Sequence, residues 1–120
     1  MTAAFPGQRN SKEDIRLALR SWPEVENYLQ TCKGVILPLG STEQHGPTGA
    51  IGTDALTAEA VALEVGCRTG VLVAPVQSFG MAEHHLGFAG TMSLQPATLL
   101  GVMHDLVLSL ARHGLSLIHI

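Results

Sequence analysis

An α/β fold with a mostly parallel sheet is what this chain predicts, on three observations. Two short apolar runs, Val35–Leu39 and Val71–Pro75, are each entered from a glycine, as buried strands are. Helical spacing of apolar residues follows each run, over residues 55–65 and again over 95–113. The order strand, helix, strand, helix is the pattern of crossover connections, and so of parallel pairing. In such sheets ligands bind at the carboxyl ends of the strands, which directs attention to the loops after Leu39 and Pro75.

Taken in order, residues 1–10 are a polar lead containing glycine and proline, expected to be mobile. Ser11-Lys12-Glu13-Asp14 reads as a helix start with Ser11 as N-cap, and Ile15, Ala18, Leu19 and Trp22 continue it at helical spacing. Ser21-Trp22-Pro23-Glu24 is a second capping box. Val25, Tyr28 and Leu29 then line a short helix that Lys33-Gly34 stops. After the first strand and its loop, Ala55–Val65 reads as a helix with Asp54 at its N-cap. Leu56, Ala60, Leu63 and Val61 are expected to face inward, and Glu59 and Glu64 outward.

Val76–Thr91 is long for a connection and rich in glycine and histidine, and long ordered loops are usually functional. Met92–Leu94 reads as a brief strand. Gln95–His113 reads as the longest helix, with Leu99, Leu100, Val102, Met103, Leu106, Val107 and Leu110 as its apolar stripe and Gly114 as its stop. Trp22 and Phe88 are expected in the core, Glu83 and His104 on polar surface, and His113 at a helix C-terminus that favours it. Leu115–Ile120 has two readings. It is apolar enough for a third strand. Its string LSLIHI is also what a widely used transposase sequencing adapter encodes in one frame, so 115–120 is expected to be a non-native tail, with the domain running over 11–114 and His119 given no functional weight.

The chain has 120 residues, which suits one domain. It is 46% hydrophobic and only 14% charged, so much apolar surface must be buried in a larger fold or between subunits. A net charge of -3 leaves no basic footprint for nucleic acid. Cys32 and Cys67 suggest reduced thiols and a cytoplasmic location. Residues 1–10 lack the apolar segment of a signal peptide. No uninterrupted apolar stretch reaches the roughly 18–20 residues of a membrane span, so no membrane partner is expected.

The chemistry concentrates in Gly40-Ser41-Thr42-Glu43-Gln44-His45-Gly46-Pro47 and in Thr53-Asp54. In extended chain residues i and i+2 share a side, so Glu43 and His45 can aim at one point, and the intervening glycines let Asp54 return to it. Two carboxylates and an imidazole suit zinc, manganese or iron better than calcium. Three ligands are few for a closed structural site and natural for an open or shared two-metal one. On spacing alone, an N-cap aspartate beside a surface glutamate and histidine accounts for the same residues equally well. His85, with His84 beside it, is a candidate for substrate contact or proton transfer. Gly90 and Thr91 are candidates to present backbone N–H groups to a substrate, and a tight turn explains them as well.

The run VILPLGSTEQHGP followed by GTD resembles the creatininase (creatinine amidohydrolase) family, whose signature is an apolar strand, G-S-x-E-Q-H-G-P-H-L-P and a short link to T-D. Ser21–Val25 resembles that family's lead helix, and Leu72–Pro75 with Phe79-Gly80 its second strand and turn. His85, Phe88, Gly90 and Thr91 match its H-x-x-F-P-G-T segment, and His113-Gly114 its helix-ending H-G. The resemblance covers residues 21–114. It implies a three-layer creatininase-like α/β fold, truncated here at the C-terminus. It implies a centre of two divalent metal ions, zinc foremost with manganese or iron as alternatives. Glu43, His45 and Asp54 fall on the first three ligands, with Asp54 bridging. It implies hydrolysis of a non-peptide C–N bond in a small or cyclic amide substrate, and a homo-oligomer, commonly a hexamer. Two departures concern the substrate pocket: Thr48-Gly49-Ala50 replaces H-L-P, and Ala89 replaces proline. The family's further histidine and acid come from an N-G-H strand end beyond the residues given, so the chain is expected to hold half a metal centre and to be inactive alone. The alternatives are a non-catalytic α/β binding module, and a hydrolase of the same fold acting on a formamide or a sugar-derived ring.

Overall fold

The computed structural model describes residues 10–118; residues 1–9 of the expected mobile lead, and His119 and Ile120, lie outside them. Its elements are α1 (Trp22–Leu29), β1 (Gly34–Ile36), α2 (Thr53–Thr69), β2 (Leu72–Val73), α3 (Pro96–Arg112) and β3 (Ser116–Ile118), with 3-10 turns at Leu17–Leu19 and Glu83–His85. The strands form one parallel sheet in the order β2-β1-β3, with Val35 opposite Leu72 and Leu117. Side-chain alternation along the strands builds the layers. Ile36 and Val73 pack against Ala62, Leu63 and Cys67 of α2 and against Ile15. Val35 and Leu72 point the other way, against Tyr28 of α1 and Leu115. Helices thus cover both faces of a parallel sheet.

Tyr28 ties the α1 layer to two strands. Its hydroxyl donates to the Gly34 carbonyl at 2.8 Å and accepts from the Leu72 N–H at 3.2 Å. Burial pushes its phenol pKa up. The second capping box forms as expected, with the Ser21 N–H and hydroxyl both donating to Glu24 Oε2 at 2.7 Å. The first one starts no α-helix. Ser11 and Asp14 bond each other, but the chain then runs extended, with Arg16 bridged to Val73 and the Ile15 carbonyl accepting from the Val73 N–H at 2.8 Å. Sheet pairing captures a segment whose local signals favour a helix.

The other departures have physical reasons too. The strands are shorter than the apolar runs, because Pro38 and Pro75 cannot donate to a ladder. The helix α2 runs to Thr69, and Asp54 lies in its first turn while Gly52 takes the N-cap. Its buried face is Ala55, Ala62, Leu63, Gly66 and Cys67, not Leu56, Ala60 and Val61, which are exposed. Small residues win that face because the helix lies close on the sheet: a Cβ at Gly66 would sit 2.9 Å from Ile15, Val71 and Val73 atoms. Trp22 stands in solvent, 72% exposed, at the first turn of α1. α3 equals α2 in length and carries the expected stripe, yet none of its side chains is buried. Met103 and Val107 instead wall a groove of about 370 Å³ with Val61, Ala62, Ile36 and Leu117. Residues 116–118 pair beside β1, which needs only an apolar run and a free edge, and both readings of 115–120 supply those. Among the described residues, no helix is long and apolar enough to cross a membrane.

Candidate functional site

One loop joins the carboxyl end of β1 to α2, and a second joins that of β2 to α3. Main-chain bonds stitch them together. The Gly40 N–H donates to Gln77 O at 2.8 Å, the Gln77 N–H to Pro38 O at 2.9 Å, and the Met92 N–H to Thr42 O at 2.9 Å. The Thr42 hydroxyl adds a bond to Ser78 O at 2.8 Å. Within the first loop, the Glu43 N–H donates to Ile51 O at 2.9 Å and returns the chain to α2. Gly40 is required at the base: a Cβ there would lie 2.4 Å from Ala55 Cα, against the first turn of α2 that carries Asp54.

The predicted residues arrive in two adjacent groups. His45 Nε2 lies 3.3 Å from Asp54 Oδ1. Glu43 Oε2 lies 3.8 Å from His85 Nε2, and ligand atoms of Glu43, His84 and His85 come within 4.8 Å of one another. The His45 ring is oriented by its own loop, with Nδ1 3.0 Å from the Glu43 carbonyl. A carbonyl only accepts, so Nδ1 carries the proton and Nε2 of the neutral ring presents a lone pair to the Asp54 carboxylate. Two such acceptors at 3.3 Å need a positive charge between them. A proton is one answer. The bond to the Glu43 carbonyl is the main cause raising the His45 pKa above its ordinary value, desolvation opposes it, and the Asp54 carboxylate adds to the rise. A divalent ion is the other answer. Ligand bonds of about 2.0–2.1 Å at a tetrahedral angle put two donor atoms about 3.3–3.4 Å apart, which is the separation found. The donor set therefore fits a metal ion at His45 and Asp54, while the Glu43 carboxylate lies with His84 and His85.

The remaining candidates are placed as follows. His85 is half-buried in the 3-10 turn, with the Phe88 ring edge-on at 6.4 Å. Phe88 itself is 56% exposed, so the loop, not the core, holds it. Gly90 turns at φ 88°, and the Thr91 N–H is spent on Phe88 O at 3.3 Å. Thr91 Oγ1 accepts from the Gln44 N–H at 3.1 Å, so its side chain braces the loop after β1. Glu83 is exposed and accepts from the Gln95 amide. Sequence reasoning passed over Gln44 and Ser41. Alternation turns Gln44 away from Glu43 and His45 and onto His85, with its amide nitrogen 2.9 Å from Nδ1. Ser41 Oγ is buried without a hydrogen-bond partner, next to Gly80.

A sequence model of the creatininase family, described as creatinine amidohydrolase, matches residues 18–120. A creatinine amidohydrolase of Pseudomonas putida is 37% identical over 100 residues, which are 78% of this chain and 38% of that protein. A mycofactocin precursor peptide peptidase of Mycobacterium ulcerans is 40% identical over 73 residues, 53% of this chain and 29% of its own length. A 3-dehydro-scyllo-inosose hydrolase of Thermotoga maritima is 34% identical over 73 residues, 60% and 24% of the two chains. Among solved structures, a manganese creatininase superposes with TM-score 0.81 at 33% identity, covering 87% of this chain and 43% of that one. A mutant creatininase of the Zn–Zn type superposes with TM-score 0.79 at 34% identity, covering 87% and 44%. The chain spans less than half the length of each of these relatives. A parallel sheet clothed by helices on both faces, a histidine lone pair turned on a carboxylate at its carboxyl edge and a match over residues 18–120 lead to one conclusion: the chain belongs to the creatininase family.

Proposed function

We propose that this chain carries the first half of the centre of a divalent-metal-dependent amidohydrolase. The observation that carries the reading is the His45 Nε2 to Asp54 Oδ1 separation of 3.3 Å, with Nδ1 already committed to the Glu43 carbonyl. The manganese and Zn–Zn forms of creatininases support divalent ions, and the Zn–Zn form a pair of them; zinc is the ion this reading puts first. His45 and Asp54 would hold one ion, and Glu43 would serve as a ligand to a second. Ions there supply Lewis-acid polarisation of a carbonyl oxygen and activation of water. The residues of this chain hold and orient the centre; further ligands and a proton donor for the leaving nitrogen come from elsewhere in the whole protein.

The substrate in this reading is a small or cyclic amide, cleaved at a C–N bond. A second reading, another bond on the same centre, is favoured by relatives described as a peptide peptidase and as an inosose hydrolase, and by Thr48-Gly49-Ala50 at the loop tip. A homo-oligomer is in keeping with the exposed stripe of α3, and a cytoplasmic location with two free cysteines. The test is metal content of the purified full-length protein. Glu43→Gln and Asp54→Asn are each expected to lose bound zinc, together with hydrolysis of a cyclic amide such as creatinine. Unchanged metal content in both variants would sink the ligand assignment.

A further inference from the structure

We propose that His85 is a positioning residue for Glu43 and not a metal ligand, fixed in that role by Gln44. The inference rests on the reading of Glu43 as a ligand. It starts from a hydrogen bond that resolves an ambiguity. The Gly46 N–H lies 2.8 Å from Gln44 Oε1, and an N–H can only donate, so that end of the amide is its oxygen. The other end is therefore the NH2 group, and it lies 2.9 Å from His85 Nδ1. An NH2 group also only donates, so Nδ1 accepts and carries no proton. In the neutral ring the proton then sits on Nε2, the atom 3.8 Å from Glu43 Oε2.

This chain of donors runs one way, from Gly46 through Gln44 and His85 to the Glu43 carboxylate. It settles what the cluster of Glu43, His84 and His85 is. His85 has no lone pair to offer an ion there, because one ring nitrogen is taken by Gln44 and the other is protonated. His45, in the loop after β1, is set the opposite way: Nδ1 is protonated against the Glu43 carbonyl, and the lone pair of Nε2 faces Asp54. One histidine is prepared to bind an ion, and the other to stand behind a carboxylate that does. The separation of 3.8 Å exceeds a hydrogen bond, so His85 acts on Glu43 through the dipole of its N–H and by limiting where the carboxylate can swing. The residue is itself held: the main-chain N–H of His85 donates to Ala82 O at 2.9 Å, and the His84 ring lies against that of His85 with centroids 4.0 Å apart. Partners of this kind orient ligands and tune their basicity.

Two measurements on the purified protein test the assignment. Long-range 1H–15N correlation with 15N-labelled histidine reads the tautomers directly. His85 is expected with bare Nδ1 and protonated Nε2, and His45 with the reverse; protonated Nδ1 at His85 overturns the proposal. Zinc binding by chelator competition supplies the second. His85→Ala is expected to weaken zinc by about 10–100-fold at an unchanged number of ions, and His85→Gln, whose amide can still donate, to recover part of the loss. A lost ion makes His85 a ligand, and unchanged affinity removes its role; either result overturns the proposal. If Glu43→Gln leaves zinc binding intact while the tautomers are as stated, the ligand reading of Glu43 is what has failed.

Discussion

Replacing Gly40 by alanine tests how the fold and the site are joined. The new Cβ would lie 2.4 Å from Ala55 Cα, 2.6 Å from its nitrogen and 2.9 Å from its Cβ. Two of these are backbone atoms of a buried residue in the first turn of α2, so no side-chain rotation relieves the clash. Ordinary contact begins near 3.4 Å, so the turn must retreat by about 1 Å. Overpacking of a fitted core costs about 1–3 kcal/mol, and the backbone contact places this variant at the upper end. Asp54 precedes Ala55 and moves with it, which opens the contact of 3.3 Å with His45. The assay is urea unfolding for stability, read as a lower midpoint at constant slope, beside zinc affinity by chelator competition. Gly87→Ala is the control, because nothing lies within 4 Å of its Cβ. A Gly40→Ala protein within about 0.5 kcal/mol of the parent, with zinc affinity intact, would refute the claim that close approach at Gly40 sets the site.

Two further outcomes follow from the described contacts. Tyr28→Phe leaves the Leu72 N–H and the Gly34 carbonyl without their buried partner, and is expected to cost about 1–3 kcal/mol in urea unfolding; a loss below about 0.5 kcal/mol would show that those groups find other partners. Glu24 is held below its ordinary pKa of 4.5, first by the Ser21 N–H and then by the Ser21 hydroxyl. A lowered folded pKa means its stabilisation is full above the unfolded value and is lost as pH falls through the folded one. Thermal melts of the parent and Glu24→Gln should therefore differ at neutral pH and converge in acid below pH 4.5. A constant gap across that window would refute the assignment.

What was legible in the sequence was local or carried by a motif. The Ser21–Glu24 box needs only neighbours three residues apart, and the structure forms it. The loop after β1 was placed at the carboxyl edge by strand order, and His45 meets Asp54 there. What was not legible depended on distant partners. Ser11–Arg16 has the signals of a helix, but β2, more than fifty residues on, draws Arg16 into pairing. Hydropathy selected Leu56 and Val61 for the buried face of α2, whereas close approach to the sheet selected Ala62 and Gly66. Trp22 and Phe88, expected in the core, stand in solvent. The contact of Gln44 with His85 joins loops 41 residues apart and has no local signature.

The stitching of the two loops bears on how such a site can diversify. Gly40, Gln77, Pro38, Met92 and Thr42 are joined through main-chain N–H and carbonyl groups, which every residue except proline supplies in full. The frame beneath Glu43 and His45 is therefore largely indifferent to the side chains at the loop tips. Thr48, Ala50, Phe88 and Ala89 are all exposed, beyond the stitches. Substitutions there can reshape what enters the site without shifting the groups beneath it. A loop framed by backbone and tipped with freely exchangeable side chains can change what it meets while its base stays fixed.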